Sequence, residues 1–166
     1  YALSLNNLAM TYYYLGDYDK ALEMQLECLD LYEKTLGKEH PDYVFSLNNL
    51  ALTYSSLGEY DKALEMNLAC LSFYEKIYGK KHPEYSRSLN NSALLYYKLG
   101  DFGKSLEVNL ECLALIEIIL GEEHPNYAMS LNNLAMTYSS LGDDDSAIEM
   151  GLKCLELREK IFGKEH

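Results

Sequence analysis

Apolar residues recur along this chain at helical spacing, and glycine interrupts them at regular points. Near the start, Leu5, Leu8, Ala9, Tyr12 and Leu15 fall on one side of a helix at steps of three and four, the stripe of a core-facing helix. Leu3, Asn6, Met10 and Tyr13 form a second stripe at matching intervals. Further on, the charged Asp19, Glu23, Glu27, Asp30 and Lys34 occupy one narrow line, and most of the rest is apolar or small. A helix with so narrow a polar line is covered on most of its sides. Pro41 then sits where a helix tolerates a missing N–H, and Gly58 and Gly79 act as stops. The spacing predicts helices over about 41–57 and 60–78. Glu59 and its counterparts Asp17, Asp101 and Asp143 stand where an acidic side chain caps the second helix of each pair and meets its positive end. The same reading predicts eight helices in all.

The pattern repeats. Ser46-Leu47-Asn48-Asn49-Leu50-Ala51 stands also at 4–9 and 130–135, and again, altered by Ser92, at 88–93, always 42 residues on. Four units follow, at 1–42, 43–84, 85–126 and 127–166. A fixed period of this size marks stacked repeats, in which no unit buries its own apolar face. One solenoid domain over 1–166 is therefore expected, all-α, built from four antiparallel helix pairs. The chain starts without Met and stops at His166, where the other units run on into Pro, so a piece of a longer array is expected. The stripe Met66, Cys70, Phe73 and Ile77 is expected to meet the following unit. Its copy at the C-terminal end, Met150, Cys154, Leu157 and Ile161, stays apolar with nothing after it. Capping repeats normally carry a polar outer face, and an uncovered apolar face marks an interaction site. Head-to-tail self-association through these four residues is the expectation, open-ended unless the rotation closes it.

The net charge is −12 and each of the four units is acidic, with no basic stripe. That argues against nucleic acid, whose phosphates are neutralised by Lys and Arg, and against an anionic membrane surface. No apolar run is long enough to span a bilayer, and the first residues do not read as a signal peptide. Cys28, Cys70, Cys112 and Cys154 hold the same place in each unit. Helices pack roughly 8–10 Å apart, beyond the roughly 7 Å that a disulfide allows between Cα atoms. Free buried thiols suit a reducing, cytoplasmic compartment.

Candidate chemistry is sparse. His40, His82, His124 and His166 sit one per unit in the same link, too far apart to share a metal, and no thiol or carboxylate cluster joins them. A cysteine nucleophile needs a base within hydrogen-bond reach, and each Cys has apolar neighbours instead. Phosphate loops, dinucleotide turns, serine elbows and paired metal-binding cysteines are absent from the sequence. Asp143-Asp144-Asp145 lacks the oxygen spacing of a calcium loop and reads as a helix cap. Asn90-Asn91-Ser92 matches a glycosylation acceptor but falls mid-helix. No catalytic residue, metal or cofactor is expected.

Leu5-x2-Leu8-Ala9-x2-Tyr12, then Gly16-Asp17-Tyr18-x2-Ala21 and the later small Cys28, resemble the tetratricopeptide repeat. The Leu-Asn-Asn-Leu-Ala run and the link Gly37-Lys38-Glu39-His40-Pro41 resemble its 42-residue, kinesin-light-chain-like class. Leu5 replaces the bulky aromatic residue of the family pattern, and Cys replaces the usual Ala. Glu27, Ala69, Glu111 and Lys153 stand where light-chain repeats carry Arg, so kinesin cargo binding is not implied. The resemblance implies a right-handed superhelix whose first helices line a concave groove, and a non-catalytic module for an extended peptide or protein partner. It implies that Asn6, Asn48, Asn90 and Asn132 point into that groove, where an amide can both donate to and accept from a peptide backbone. Asn7, Asn49, Asn91 and Asn133 would satisfy loops between units, and the competing reading is that both sets bond only within the fold. Met10, Leu52, Leu94 and Met136 should lie one turn on from the first set. Tyr13 and Tyr97 follow at a place that varies between units, with Arg87 and Lys98 as the groove's basic groups. A spacer or self-assembling scaffold is the alternative function.

Overall fold

The computed structural model describes residues 1–163; His166 lies outside the described residues. The described residues form eight helices: α1 (Ala2–Tyr14), α2 (Tyr18–Leu36), α3 (Pro41–Ser56), α4 (Tyr60–Tyr78), α5 (Pro83–Lys98), α6 (Phe102–Leu120), α7 (Pro125–Leu141) and α8 (Asp144–Phe162). No strand occurs among them. Contacts gather the chain into two compact units, Tyr1–Phe73 and Tyr74–His166.

The punctuation of each pair follows from backbone chemistry. Asp17, Asp101 and Asp143 accept from the main-chain N–H of Lys20, Lys104 and Ser146 at 3.3, 3.0 and 3.2 Å, satisfying one orphan donor at each helix start. The Lys20 ammonium, 2.7 Å away, holds the exposed Asp17 carboxyl below its ordinary range. At Gly16 the chain turns at φ +80°, a left-handed conformation that a Cβ would disfavour, and the Gly16 and Asp17 N–H groups donate to Tyr13 and Tyr12 carbonyls. The links between pairs use an unexpected cap. His40, His82 and His124 sit in extended conformation before the prolines, and their Nδ1 atoms accept from the N–H of Asp42, Glu84 and Asn126 at 3.2, 3.2 and 3.1 Å. An Nδ1 that accepts belongs to a ring without a proton there. The histidines are therefore capping groups, which accounts for one per repeat.

Packing within each pair rests on small residues. Ala9 of α1 and Ala21 of α2 are both fully buried in the first unit, where the two helices pack on one another. The cysteines add a polar contact where alanine would leave none. Cys28 Sγ donates to the Ala2 carbonyl at 3.3 Å and Cys70 to Val44 at 3.6 Å in the first unit. In the second, Cys112 donates to Ser86 at 3.4 Å and Cys154 to Ala128 at 3.2 Å. Every one of these steps spans 26 residues. The four thiols are buried and form no disulfide. Burial pushes the Cys28 thiol up and carries Cys112 up to about 11, with the Ser130 hydroxyl working the other way. A thiol held neutral is a poor nucleophile.

This contact also corrects the expected end surface. Cys154 forms a core cluster with Ala128 and Leu131, against which Met150 and Leu157 pack, while Ile161 is half-buried. Met150, Cys154 and Leu157 of this stripe thus pack against α7. Spacing alone could not choose, because α8 carries two apolar stripes. The apolar side chains that lie open on α8 are Ile148, Leu152, Leu155 and Phe162, at 61, 61, 64 and 48 % exposure.

Candidate functional site

In each unit, first helices lie beside one another: α1 touches α3 in the first and α5 touches α7 in the second. The residues proposed from sequence for a groove sit on these helices, and their exposure sorts them. Asn6, Asn48 and Asn90 are only 2, 6 and 5 % exposed, as the competing reading of bonding within the fold would have them. Asn6 and Asn90 each take part in a hydrogen-bonded rung between neighbouring repeats. Asn49 Nδ2 donates to Asn6 Oδ1 at 3.2 Å, and Asn133 Nδ2 donates to Asn90 Oδ1 at 3.0 Å, each across 43 residues. The second asparagine of one repeat thus pairs with the first asparagine of the repeat before it, helix to helix rather than to a loop. Asn132 is half-buried, and its Nδ2 lies 3.6 Å from Met136 Sδ.

A second rung of the same step was not foreseen. Tyr13 Oη lies 3.1 Å from Ser56 Oγ, and Ser140 Oγ donates to Tyr97 Oη at 3.1 Å, again 43 residues apart. The repeat length plus one residue was the signal available for both rungs. In the first unit Met10 and Leu52 are half-buried, with Met10 Sδ 3.6 Å from the buried Gln25 Nε2. In the second, Leu94 and Met136 are exposed, Tyr97 is half-buried against Phe102 at 5.3 Å between ring centroids, and Lys98 is exposed. Arg87 is paired with Glu84 one turn before it on α5, which neutralises its charge locally. Residues of the sequon fare no better as an acceptor site, since Asn90 and Ser92 are both buried within α5.

Under Leu94, Tyr97 and Met136 the second unit has a water-sized cavity of about 10 Å³, also lined by Ser105, Asn109, Asn133 and Thr137. Its floor is a polar network. Ser105 Oγ donates to the Ala93 carbonyl at 2.9 Å and Thr137 Oγ1 to the Asn133 carbonyl at 2.8 Å, so both hydroxyl protons are spent. Asn109 Nδ2 donates to both hydroxyl oxygens at 3.3 Å. That arrangement orients the amide, and Asn109 Oδ1 is left buried without a hydrogen-bond partner. An unsatisfied buried acceptor costs about 1–3 kcal/mol. The sequence carries its signal as Gln25, Asn67 and Asn109 at one repeat position, with the Ser105 and Thr137 partners together only around Asn109.

Among the described residues no group of three or more His, Cys, Asp or Glu could hold a metal ion. No helix among them is long and apolar enough to cross a membrane.

The tetratricopeptide repeat family matches the chain over residues 1–76, 57–117 and 88–160. No curated protein sequence matches it closely enough to count as a relative. Among solved structures, BtubC (BKLC) from P. vanneervenii is similar over 98 % of this chain with a TM-score of 0.89 at 22 % identity, and the chain spans 65 % of that protein's length. A Podosopora anserina protein of kinesin-light-chain type with nearly identical TPR-like repeats is similar over 98 % of this chain and 77 % of its own, with a TM-score of 0.84 at 26 % identity. A Rap protein complexed with competence and sporulation factor is similar over 96 % of this chain and 43 % of its own, with a TM-score of 0.78 at 18 % identity. The helix pairs are those of a tetratricopeptide-like solenoid, and such repeats serve as protein-interaction scaffolds. This chain belongs to the tetratricopeptide repeat family.

Proposed function

We propose that the chain is a non-catalytic module, one cytoplasmic solenoid domain, that takes an extended peptide or partner segment along its first helices. One observation carries the reading. In the second unit, exposed Leu94 and Met136 and half-buried Tyr97 surround a cavity whose floor holds the acceptor Asn109 Oδ1 without a partner. Apolar, methionine and aromatic side chains favour contact surfaces, and a desolvated acceptor rewards a donor brought to it, directly or through one water. In the first unit the corresponding lining is Met10, Leu52 and Tyr13, over the buried Gln25, whose Oε1 is likewise without a hydrogen-bond partner. The Rap protein complexed with its factor shows that a similar fold takes a partner, and it is the fold alone that is shared. Partner specificity then lies with residues that differ between repeats, such as Tyr97 against Ser55 and Ser139, together with Lys98 and Asn132.

A displayed library of random extended peptides, selected on the whole chain, tests this. Enriched peptides should bind with affinity reduced at least about tenfold by Met136→Glu, a change at an exposed position that leaves the fold intact. Asn109→Leu should weaken the same peptides while stabilising the chain, because it removes an unsatisfied acceptor. Failure to enrich any peptide, or enriched peptides indifferent to both changes, would sink the reading.

A further inference from the structure

We propose that the outer face of α6, in the second unit, docks an amphipathic helix of a partner protein whose apolar stripe is bordered by lysine or arginine. This face is separate from the first-helix lining described above. The four second helices differ here when they are compared position by position. On the side of α2 away from its buried residues, Leu26 is followed by Asp30 and Lys34, which pair at 2.6 Å. At the same places α4 has Leu68, Ser72 and Lys76, and α8 has Leu152, Glu156 and Lys160. In α6 they are Leu110, Ala114 and Ile118. Every one of these positions is exposed, so the exposure belongs to the place in the repeat. The third repeat differs in filling it with apolar side chains, and Ile118 is 67 % exposed. A single exposed leucine is ordinary, whereas three apolar residues in a row where another repeat has an ion pair point to a contact.

Shape and charge select the occupant. Leu110, Ala114 and Ile118 follow one another at steps of four, the ridge that fits the groove of another helix. The small Ala114 at the centre leaves a hole between its larger neighbours for one side chain of that helix. Glu107 and Glu111 stand on one side of the ridge and Glu117 on the other, at the turn of 100° per residue of an α-helix. Lys104 pairs with Glu107 at 2.8 Å and Lys80 with Glu111 at 3.4 Å, while among the described residues Glu117 forms no ion pair. Of the second helices, α6 alone has no basic residue in its last turn, where α2, α4 and α8 have Lys34, Lys76 and Lys160. The exchange of lysine for Ile118 therefore adds apolar surface and removes a positive charge at one point. A helix with an apolar stripe answers the ridge, and lysine or arginine beside that stripe answers the carboxylates. A second copy of this chain fits less well, because its own net charge is −12 and α6 against α6 sets these carboxylates against each other.

A displayed library of helical peptides, with a leucine-rich face fixed and the flanking positions randomised, tests this when selected on the whole chain. Enriched helices should carry Lys or Arg beside the apolar stripe, and added salt should weaken their binding. Ile118→Lys gives α6 the residue that α2, α4 and α8 carry at that place, so the helix stays intact, which circular dichroism checks. It should cut affinity at least about tenfold, and Glu117→Gln about twofold to fivefold. Met136→Glu on α7 should leave the affinity unchanged, which separates this face from the first-helix lining. Failure to enrich any helix overturns the proposal, as do enriched helices without basic flanks or with full affinity for Ile118→Lys. So does sedimentation in which the chain alone associates and Ile118→Lys does not, since the occupant is then a second copy.

Discussion

Leu50→Ala lowers the unfolding free energy by about 3–4 kcal/mol, whereas Leu8→Ala, at the same repeat position, lowers it by less than about 1 kcal/mol in dilute solution. Both leucines sit in the same Leu-Asn-Asn-Leu-Ala run, on a first helix, with the same neighbours in sequence. Helical propensity and local pattern are therefore equal. The difference is what lies against them. Leu50 is fully buried in α3, which packs on α2 and touches α1, and removing its methyls leaves a cavity that the neighbours fill only in part. Leu8 is 46 % exposed on α1, where part of its surface already meets water. Urea denaturation of the two variants, read as midpoint shifts at constant slope, gives the comparison. Equal losses would mean that a repeat buries its own leucine.

Raising the pH from 9 to 11 removes about 2 kcal/mol of stability through Cys112 alone. Burial against α5 and α7 raises this thiol to about 11 in the folded chain, from 9.0 for a free thiol. The sign follows from proton binding. Below pH 9 both states hold the proton and the group is silent. Between 9 and 11 the unfolded chain releases it and the folded chain does not, so the unfolded state gains. Tyr32, Tyr43, Tyr85 and Tyr127 are all raised by burial, and their phenols add to the loss in the same direction. Denaturation at a series of pH values, under reducing conditions, should show Cys112→Ala with a lower stability at pH 8 but a shallower fall above pH 9. Parallel falls in the two chains would place the titrating groups elsewhere.

What could be read from the residues alone was whatever depends on one helix at a time. Spacing of apolar residues located the helices, and the glycines and Pro41, Pro83 and Pro125 located their ends to within a residue. The 42-residue step identified the solenoid class. What depends on two helices was harder to see. The second helices carry apolar residues nearly all round, so Met150-Cys154-Leu157-Ile161 and Ile148-Leu152-Leu155 are equally good stripes. Only the thiol-to-carbonyl contact from Cys154 to Ala128 reveals which one faces inward. The asparagine pair stayed open to two readings for a similar reason. An amide that can bind a peptide can equally bind another amide, and the repeat before it supplies one. The histidine caps escaped because histidine is not among the common capping residues, although its place before Pro in every link was plain. Asn109 escaped because the network around it draws on three helices, with Ala93 of α5, Ser105 of α6 and Thr137 of α7.

Hydrogen exchange of the backbone amides, resolved helix by helix on the intact chain, bears most directly on how the repeats hold one another. If each pair is sheltered only by the pairs beside it, protection should be greatest in the first helices α3, α5 and α7, and least in α1 and α8, whose apolar side chains Leu8, Ile148, Leu152 and Leu155 lie exposed. The expected gap in opening free energy between α3 and α8 is about 2 kcal/mol or more. Protection as high in α1 and α8 as in α3 and α7 would contradict it, since an end helix would then need no neighbour to stay folded.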